Sequence, residues 1–387
     1  MTILYLLAAI ALLTSVAFIV ISLIKSLPLQ WLYYHYFIRK PVVLLIFGGS
    51  LFWEIGLASN NGSVRLEAAV PLALMVLAVA LAYRLHPEVA FQAVDFPVMS
   101  ERPFQLPLTG DTQLAIIEYE GVTKAYPLEY VAHHHIINDR FGEHLVALTY
   151  CPMCRSIIPF DVTEIGALFV VALKNANMIT ADRHTRTFFQ QATFESVIGP
   201  LHPYALTMIH FQTLPWREVR RLDVLPQICQ VTLNDFREFQ LPVPWVWRKI
   251  MASEITPGLP SKDKDKSFPA RTHVIGVIDP IAKPQVVYLK SELIQHGVVK
   301  NKALDAVFVA LNDTVSAFKG NVAGTLLDLI INSDGTLYDK HSGTVWDVRG
   351  KYKSGIIKSD LEVVATSDEY WYSWKFFHPQ SQLIRLH

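Results

Sequence analysis

Three long apolar segments near the N-terminus constrain the fold more than any other feature of the sequence. The segments are Ile3–Ile24, which carries no charge, Pro41–Ala58, which is shorter and contains Glu54, and Leu66–Leu85. About 20 consecutive apolar residues are needed to cross the hydrocarbon core of a bilayer. The sequence therefore predicts a membrane anchor of about three transmembrane helices over residues 1–86, with the lipid bilayer as its first partner.

The basic residues that flank these segments predict an orientation. No basic residue precedes the first segment, and its apolar core is longer than that of a cleaved signal peptide, so we expect a retained anchor. Lys25, Arg39 and Lys40 lie between the first two segments, whereas Arg65 alone precedes the third. The positive-inside rule then places the first loop, and everything after Leu85, in the cytoplasm.

Charge and cysteine content exclude two classes of protein. Lys plus Arg number 34 against 34 Asp plus Glu, a formal net charge of zero. This balance argues against a nucleic-acid partner, which requires a basic excess or patch. Three cysteines are too few for a disulfide scaffold. After residue 86, short β-branched runs such as "HLVALTY" and "AVFVAL" instead predict a β-rich α+β region with a few short helices.

This region contains two copies of one pattern. "ADRHTRTFF" resembles "YDKHSGTVW", "AYPLEYVAHHHII" resembles "VYLKSELIQHGVV", and "LPWREV" resembles "WYSWKFF", in one order and at a nearly constant offset. Such self-similarity indicates an internal duplication of the soluble domain. We expect a first repeat over residues 87–224, an inter-repeat linker over 225–270 and a second, degenerate repeat over 271–387.

The two copies differ at a Cys-x-x-Cys pair. "LTYCPMC" in the first copy aligns with "ALNDTVS" in the second, which sets Cys151 against Asp313 and Cys154 against Ser316. The apolar strand before the pair is kept in both copies, so this strand does not need the thiols to fold. The comparison favours a functional interpretation of the cysteines.

The residues around the pair favour a metal site. "HLVALTY" predicts a strand, "CPMC" a tight turn, and "RSIIPF" a returning strand, because Pro159 disfavours a helix directly after Cys154. Thioredoxin-like sites begin a helix instead. A turn with two thiols between strands is typical of metal sites, in which both sulfurs bind one ion.

Additional ligands are available one strand earlier. His134, together with His133 or His135, could add imidazole nitrogens to the sulfurs of Cys151 and Cys154. Thiolates combined with imidazole suit a soft transition metal, copper or zinc. The sequence thus predicts a metal-binding site made of these five residues.

Other interpretations stay open. The pair could instead serve a thiol–disulfide or metal-dependent oxidoreductase, or brace a turn, and no known catalytic motif decides whether the chain is an enzyme. His134 could be a core histidine, since His296 matches it in the copy without cysteines. A structural subunit of a membrane protein complex is a further alternative, because Glu54 within the second apolar segment requires a partner.

Several remaining residues have simpler structural explanations. We expect Asp182 and Asp339 to accept hydrogen bonds from turn backbone N–H groups. The lone Cys229 is predicted to be a small buried apolar residue. Trp216, Trp371 and Trp374 are predicted to fill the core.

The segments "KAYPLEYV", "VALTYCPMCRSIIPFD", "DRHTRTFF" and "YWYSWKFFHPQSQLI" resemble the bacterial and archaeal domain-of-unknown-function family 3179 over roughly residues 95–387. The family's "WHE" becomes His133–His135, with His134 at the matching histidine, and its usual glycine after the second cysteine becomes Arg155. Thr185–Thr187 replaces a "TGS" triplet. Many members resemble exported proteins, which implies an extracytoplasmic domain and contradicts the orientation that charge predicts.

Overall fold

The structure, a computed structural model, describes residues 1–61, 65–102, 108–231, 249–250, 252–278, 285–322 and 324–386. Residues 232–248, in the middle of the predicted linker, lie outside the described residues. The helices are α1 (Thr2–Leu23), α2 (Leu29–Asn61), α3 (Ala69–Arg84), α4 (Pro87–Ala90), α5 (Leu128–His134), α6 (Trp216–Val219), α7 (Lys290–His296) and α8 (Trp371–Phe377).

The strands are short and follow from residue 94 onwards. They are β1 (Val94–Asp95), β2 (Met99–Ser100), β3 (Gln113–Tyr119), β4 (Val122–Pro127), β5 (Ile136–Phe141), β6 (His144–Cys151), β7 (Ser156–Asp161), β8 (Leu168–Lys174), β9 (Asn177–Asp182), β10 (Phe188–Gln190), β11 (Ser196–Ile198), β12 (Thr207–Met208), β13 (Phe211–Pro215), β14 (Gln227–Cys229), β15 (His273–Val277), β16 (Val286–Leu289), β17 (Val298–Asn301), β18 (Ala306–Leu311), β19 (Thr314–Lys319), β20 (Asn321–Val322), β21 (Thr325–Leu326), β22 (Leu329–Ile331), β23 (Leu337–Asp339), β24 (Val345–Trp346), β25 (Tyr352–Ser354), β26 (Thr366–Tyr370) and β27 (Gln382–Ile384). The predicted β-rich region preceded by apolar helices is confirmed.

Three N-terminal helices are long and apolar enough to cross a membrane: α1, α2, and α3 together with the 3₁₀ turn Leu66–Ala68. The second is much longer than the predicted Pro41–Ala58, because α2 continues through Pro41 and has 33 residues. Its length of roughly 50 Å exceeds the roughly 30 Å of a hydrocarbon core. Part of α2 therefore extends beyond the apolar layer that the anchor would span.

Charged residues on these helices have partners inside the chain. Glu54 forms a two-pronged ion pair with Arg65, which follows α2. Arg39, only 1% exposed as a side chain, donates from Nη2 to Glu88 Oε1 at 2.8 Å. The Glu54 carboxylate thus does not require a second protein for its charge.

The chain divides into two compact units, the first being Met1–Ala93, Leu168–Ala205 and Thr256–Pro260. Within this first unit, one antiparallel sheet of order β11-β10-β9-β8 packs on the helices. Phe18 of α1 and Leu32 of α2 share an apolar cluster with Phe169, Val171 and Phe188 of the sheet. This sheet therefore packs against the C-terminal end of α1 and the N-terminal end of α2, which the first loop connects.

A buried lysine joins the sheet of the first unit to the end of α1. Lys174 is 2% exposed, and its Nζ donates to the carbonyls of Ile21 at 2.6 Å and Ile24 at 2.7 Å. The last carbonyls of a helix lack partners within the helix and carry partial negative charge. Lys174 supplies both hydrogen-bond donors and a positive charge to the carbonyls at the C-terminal end of α1.

The second unit comprises Val94–Ala167, Leu206–Ile255 and Ser261–His387, and contains the remaining strands. Its first part has a sheet of order β13-β3-β4-β14-β2 and a sheet of order β1-β5-β6-β7-β12, linked by α5. Tyr126, Val131, Phe141 and Leu148 belong to the apolar core between these elements. Cys229 lies in the same core, as predicted for a small buried residue.

The second part of this unit uses a closely similar arrangement. One sheet has the order β26-β15-β16-β27, another has the order β17-β18-β19, and α7 links them. β26 pairs antiparallel with β15 as β13 does with β3, and β27 pairs parallel with β16 as β14 does with β4. A further antiparallel sheet follows in the order β22-β23-β24-β25, which matches the β8–β11 meander of the first unit.

Candidate functional site

The two cysteines lie on a β-hairpin, as the sequence predicted. β6 ends at Cys151, which pairs with Ser156 at the start of β7, and the residues between them form the turn. The Cys154 N–H donates to the Cys151 carbonyl at 3.1 Å, and Arg155 closes the turn with a φ of 62°. The turn thereby brings the two cysteines together on one side of the hairpin.

The two sulfur atoms are in direct contact. Cys151 Sγ and Cys154 Sγ lie 3.2 Å apart, and neither is part of a disulfide. The residues are 1% and 0% exposed, respectively. The hairpin therefore holds a buried, closely spaced dithiol.

A C-terminal segment holds the turn in place. Three alternate residues of this segment reach three consecutive residues of the turn: Asp368 pairs with Arg155, Tyr370 with Cys154, and Tyr372 with Met153. The Tyr370 N–H donates to the Cys154 carbonyl at 2.9 Å, and Tyr372 Oη donates to the Met153 carbonyl at 2.6 Å. The segment, called the C-terminal clamp below (residues 368–372), was not identified as part of the site from the sequence.

Two phenols beside the sulfurs stay protonated at neutral pH. Burial, followed by the neighbouring Cys154 and Cys151, raises the pKa of Tyr372 well above its ordinary value. Burial also raises the pKa of Tyr150 to about 12. These side chains can donate hydrogen bonds near the dithiol, but they do not serve as bases at neutral pH.

The histidine run lies next to the hairpin through its backbone. His133 and His134 form the last turn of α5, and His135 follows it. The His135 carbonyl accepts a hydrogen bond from the Tyr150 N–H at 2.8 Å, immediately before Cys151 in the ladder. The predicted closeness of the run and the first cysteine is thus present in the backbone.

The imidazoles themselves have other contacts. His134 packs edge-on against Tyr130 and His133, with ring centroids 4.7 and 4.8 Å apart. His135 is buried, and burial lowers its pKa to about 4, so its ring is neutral at pH 7. Among the described residues, no group of three or more His, Cys, Asp or Glu side chains is arranged to hold a metal ion. The ligand set of Cys151, Cys154 and the three histidines stays a prediction: its donor chemistry fits copper or zinc, but an ion would have to draw the imidazoles in.

His135 has an unusual backbone conformation. Its φ is 64° and its ψ is −31°, a region in which side-chain-bearing residues are rare. At the end of α7, the corresponding junction is Gly297, with φ 71° and ψ −60°. A histidine therefore stands where the second half uses a glycine, and such conformations cost about 1–3 kcal/mol.

The second hairpin corrects the sequence alignment of the cysteines. β18 and β19 pair up to Leu311 and Thr314, so only Asn312 and Asp313 form their turn. The Ala310 N–H donates to the Gly297 carbonyl, as the Tyr150 N–H does to the His135 carbonyl. The strand pairing thus matches Cys151 with Leu311, not with Asp313. Cys154 lies in the turn of the first hairpin, which is longer than the turn of the second, so the predicted match of Cys154 with Ser316 was also wrong.

The simpler predictions for Asp182, Asp339, Trp371 and Trp374 agree with the structure, whereas Trp216 is only partly buried against an apolar cluster. Asp182 accepts bonds from the backbone N–H groups of His184, Thr185 and Thr187, and Asp339 accepts one from Ser342. Trp374 is fully buried. These residues shape turns and core.

Comparison with known proteins identifies the family. No curated protein and no solved structure shows significant similarity to the chain. A family model described as "Protein of unknown function (DUF3179)" matches residues 90–381, a span that holds the cysteine hairpin, the histidine run and the C-terminal clamp. With three quarters of its length covered by this model, the chain belongs to the DUF3179 family.

Proposed function

We propose that the protein is a membrane-anchored thiol–disulfide redox protein whose active group is Cys151–Cys154. The observation that carries the proposal is the 3.2 Å contact between the two sulfurs. Two sulfurs bound to one tetrahedral zinc ion, each at about 2.3 Å, lie about 3.8 Å apart. A disulfide requires about 2.05 Å. The sulfurs are already closer than a zinc ion would hold them.

The reaction exchanges two electrons between this pair and a disulfide of a partner molecule. Cys151 and Cys154 lose two hydrogens and join through an S–S bond, while the partner disulfide takes up both hydrogens and becomes two thiols. Exchange proceeds by attack of a thiolate on a sulfur, so the attacking sulfur must become accessible. Because both cysteines are buried, the C-terminal clamp must move before a partner of any size can react.

The test equilibrates the full chain, in detergent and in a Cys229→Ser background, with glutathione buffers of defined potential. We expect a loss of 2 Da and of two alkylatable thiols in a single transition. The matched control is Cys151→Ser/Cys154→Ser, which should show neither. A wild-type chain whose thiols stay reduced in every buffer and after exposure to a small oxidant would contradict the proposal.

Metal binding is the second candidate. The hairpin turn resembles a metal knuckle, and the backbone bond between His135 and Tyr150 sets the histidine run beside Cys151. A copper or zinc ion would be held by Cys151 and Cys154, with His134, His133 or His135 as further ligands. Metal analysis separates the candidates: stoichiometric copper or zinc that is lost in Cys151→Ser/Cys154→Ser supports binding.

We further propose that the β-rich region arose by duplication and that it lies outside the cytoplasm. The matching order of four strands, β13-β3-β4-β14 in one sheet and β26-β15-β16-β27 in the other, supports the duplication. The many family members that resemble exported proteins support an extracytoplasmic location. The basic residues between α1 and α2 predict a cytoplasmic one. Reporter fusions after residue 386 and after residue 1 show on which side of the membrane each end of the chain lies, and the first of them locates the β-rich region. A role as a subunit of a membrane complex has less support than the sequence suggested, because Arg65 neutralises Glu54.

A further inference from the structure

The C-terminal clamp bonds to the second part of the cysteine turn. Its three contacts reach Met153, Cys154 and Arg155, the last three residues before β7. The contact with Cys154 is made by the backbone, because the Tyr370 N–H donates to the Cys154 carbonyl at 2.9 Å. Opening of the clamp therefore removes the bond that holds the carbonyl of the second cysteine.

Cys151 is held by other elements. It is the last residue of β6, which is the central strand of the sheet β1-β5-β6-β7-β12, and it pairs with Ser156 of β7. The residue before it, Tyr150, donates its N–H to the His135 carbonyl at 2.8 Å. These contacts do not involve the clamp. Cys151 therefore keeps its place in the sheet when the clamp opens, and Cys154 is uncovered first.

The other half of the second unit has different residues at the clamp positions. The strand pairings place Pro215, the last residue of β13, where β26 has Tyr370, and each precedes a tryptophan that begins a short helix. Proline has no N–H, so it cannot donate the bond that Tyr370 donates. By the same register Thr213, which carries no charge, replaces Asp368. The backbone bond and the ion pair thus belong to the half that carries the cysteines.

The contact between the sulfurs gives the first cysteine a separate task. Cys151 Sγ lies 3.2 Å from Cys154 Sγ, so it is within reach of a sulfur that has just bound a partner. Opening of the clamp also separates Arg155 from Asp368, and a cation next to a cysteine favours the thiolate form that attacks. Both effects assign the first attack to the cysteine that precedes Arg155.

We propose that Cys154 is the attacking cysteine of the pair and that Cys151 is the resolving one, an assignment that rests on the proposed thiol–disulfide function. The Cys154 thiolate attacks one sulfur of the partner disulfide, and the bond between the two partner sulfurs breaks. Cys151 then attacks Cys154 Sγ, and the mixed disulfide breaks. The pair is left as a disulfide, and both of its protons end on the partner, which leaves as two thiols.

The first experiment incubates full-length Cys151→Ser and Cys154→Ser, each in detergent and in the Cys229→Ser background, with glutathione disulfide. Intact-mass analysis follows the adduct of one glutathione per chain, and equal unfolding temperatures show that both variants fold. Cys151→Ser should form a stable adduct. Cys154→Ser should form it roughly tenfold more slowly, which corresponds to about 1.4 kcal/mol of additional opening. The chain with both cysteines should not accumulate the adduct, because Cys151 displaces the glutathione.

A second pair of variants tests the backbone bond of the clamp. Tyr370 has a φ of −82° and a ψ of 143°, close to the −71° and 149° of Pro215, so proline fits at this position. Tyr370→Pro removes the ring and the N–H, whereas the matched Tyr370→Ala removes only the ring. With Cys154 as the remaining thiol, the proline variant should form the adduct roughly fivefold faster than the alanine variant, which corresponds to about 1 kcal/mol. With Cys151 as the remaining thiol, the two rates should be similar.

The possible results separate this assignment from the thiol–disulfide function itself. Adduct formation in Cys154→Ser that equals or exceeds the rate in Cys151→Ser would overturn the assignment and leave the two-electron couple of the wild type intact. Equal rates at Cys154 in Tyr370→Pro and Tyr370→Ala would overturn it as well, since the clamp would then not control the attacking sulfur. A wild-type pair that stays reduced in every glutathione buffer would contradict the function and the assignment together.

Discussion

His135 and Gly297 both have a positive φ, 64° and 71°, and each lies at the junction between a short helix, α5 or α7, and the strand that follows it. We expect His135→Gly to leave the free energy of unfolding within about 1 kcal/mol of the wild type, because relief of backbone strain offsets the lost ring contacts. His135→Ala keeps the strain and loses the ring, so it should destabilise by about 2 kcal/mol. Chemical denaturation measures both. A glycine variant less stable than the alanine variant would contradict this explanation.

The C-terminal clamp predicts how fast the cysteines react. Tyr372→Phe removes the hydroxyl that binds the Met153 carbonyl at 2.6 Å and leaves that buried acceptor unsatisfied. The loss of about 1–3 kcal/mol should favour opening of the turn. Cys151 and Cys154 should then react with N-ethylmaleimide roughly tenfold faster, since about 1.4 kcal/mol corresponds to a factor of ten. Peptide mass analysis reads each site, and buried Cys229 is the internal control: its rate should not change.

A buried carboxyl within the C-terminal clamp predicts a pH dependence of stability. Glu369 is 2% exposed, accepts bonds from the Ser367 and Ser373 hydroxyls, and has a pKa raised by burial to about 7 from 4.5. A raised folded pKa stabilises the protein fully below pH 4.5, and the contribution is lost as the pH rises through 7. The loss is roughly 3 kcal/mol, at about 1.4 kcal/mol per pKa unit.

The measurement for Glu369 is the unfolding free energy between pH 4.5 and 8. Glu369→Gln should remove most of this decline, because the amide cannot ionise. Glu143→Gln, the same charge change at an exposed site, should follow the wild-type curve. Parallel curves for wild type and Glu369→Gln would show that Glu369 does not titrate in this range.

A glycine in β15 predicts a large packing effect. A Cβ on Gly276 would lie 2.0 Å from the buried ring of Trp374. Gly276→Ala should therefore destabilise by about 3 kcal/mol or more, because the fully buried indole must shift. Gly110→Ala is the control, since its Cβ would meet only Arg217 Cβ at an ordinary 3.7 Å. Loss of near-ultraviolet circular dichroism at a lower temperature in Gly276→Ala, but not in Gly110→Ala, is the expected readout.

Local features were predictable from the sequence, and distant ones were not. The hairpin at Cys151 follows from β-branched residues on both sides of a turn and from Pro159, which disfavours a helix. The second apolar segment was predicted shorter than α2, which begins at Leu29 and includes Arg39 and Lys40, both paired with Glu88. The C-terminal clamp escaped prediction, because the contact between Arg155 and Asp368 joins residues 213 positions apart.

The alignment of the repeats failed for a related reason. Sequence similarity set Cys154 against Ser316 at a constant offset, but the first hairpin has a longer turn than the second. A difference in turn length between two segments of low similarity does not show in a comparison of their sequences. The difference in turn length is visible only in the residue pairs of the two β-hairpins.

The distance in sequence between the cysteine turn and its clamp also sets an order of events during synthesis. The carboxylate that grips Arg155 emerges from the ribosome 213 residues after it, so the thiols are made long before their cover exists. Throughout that interval an oxidase, a reductant or a metal donor can reach both sulfurs. Oxidation of the pair during synthesis therefore needs no opening of the clamp, unlike exchange in the finished molecule.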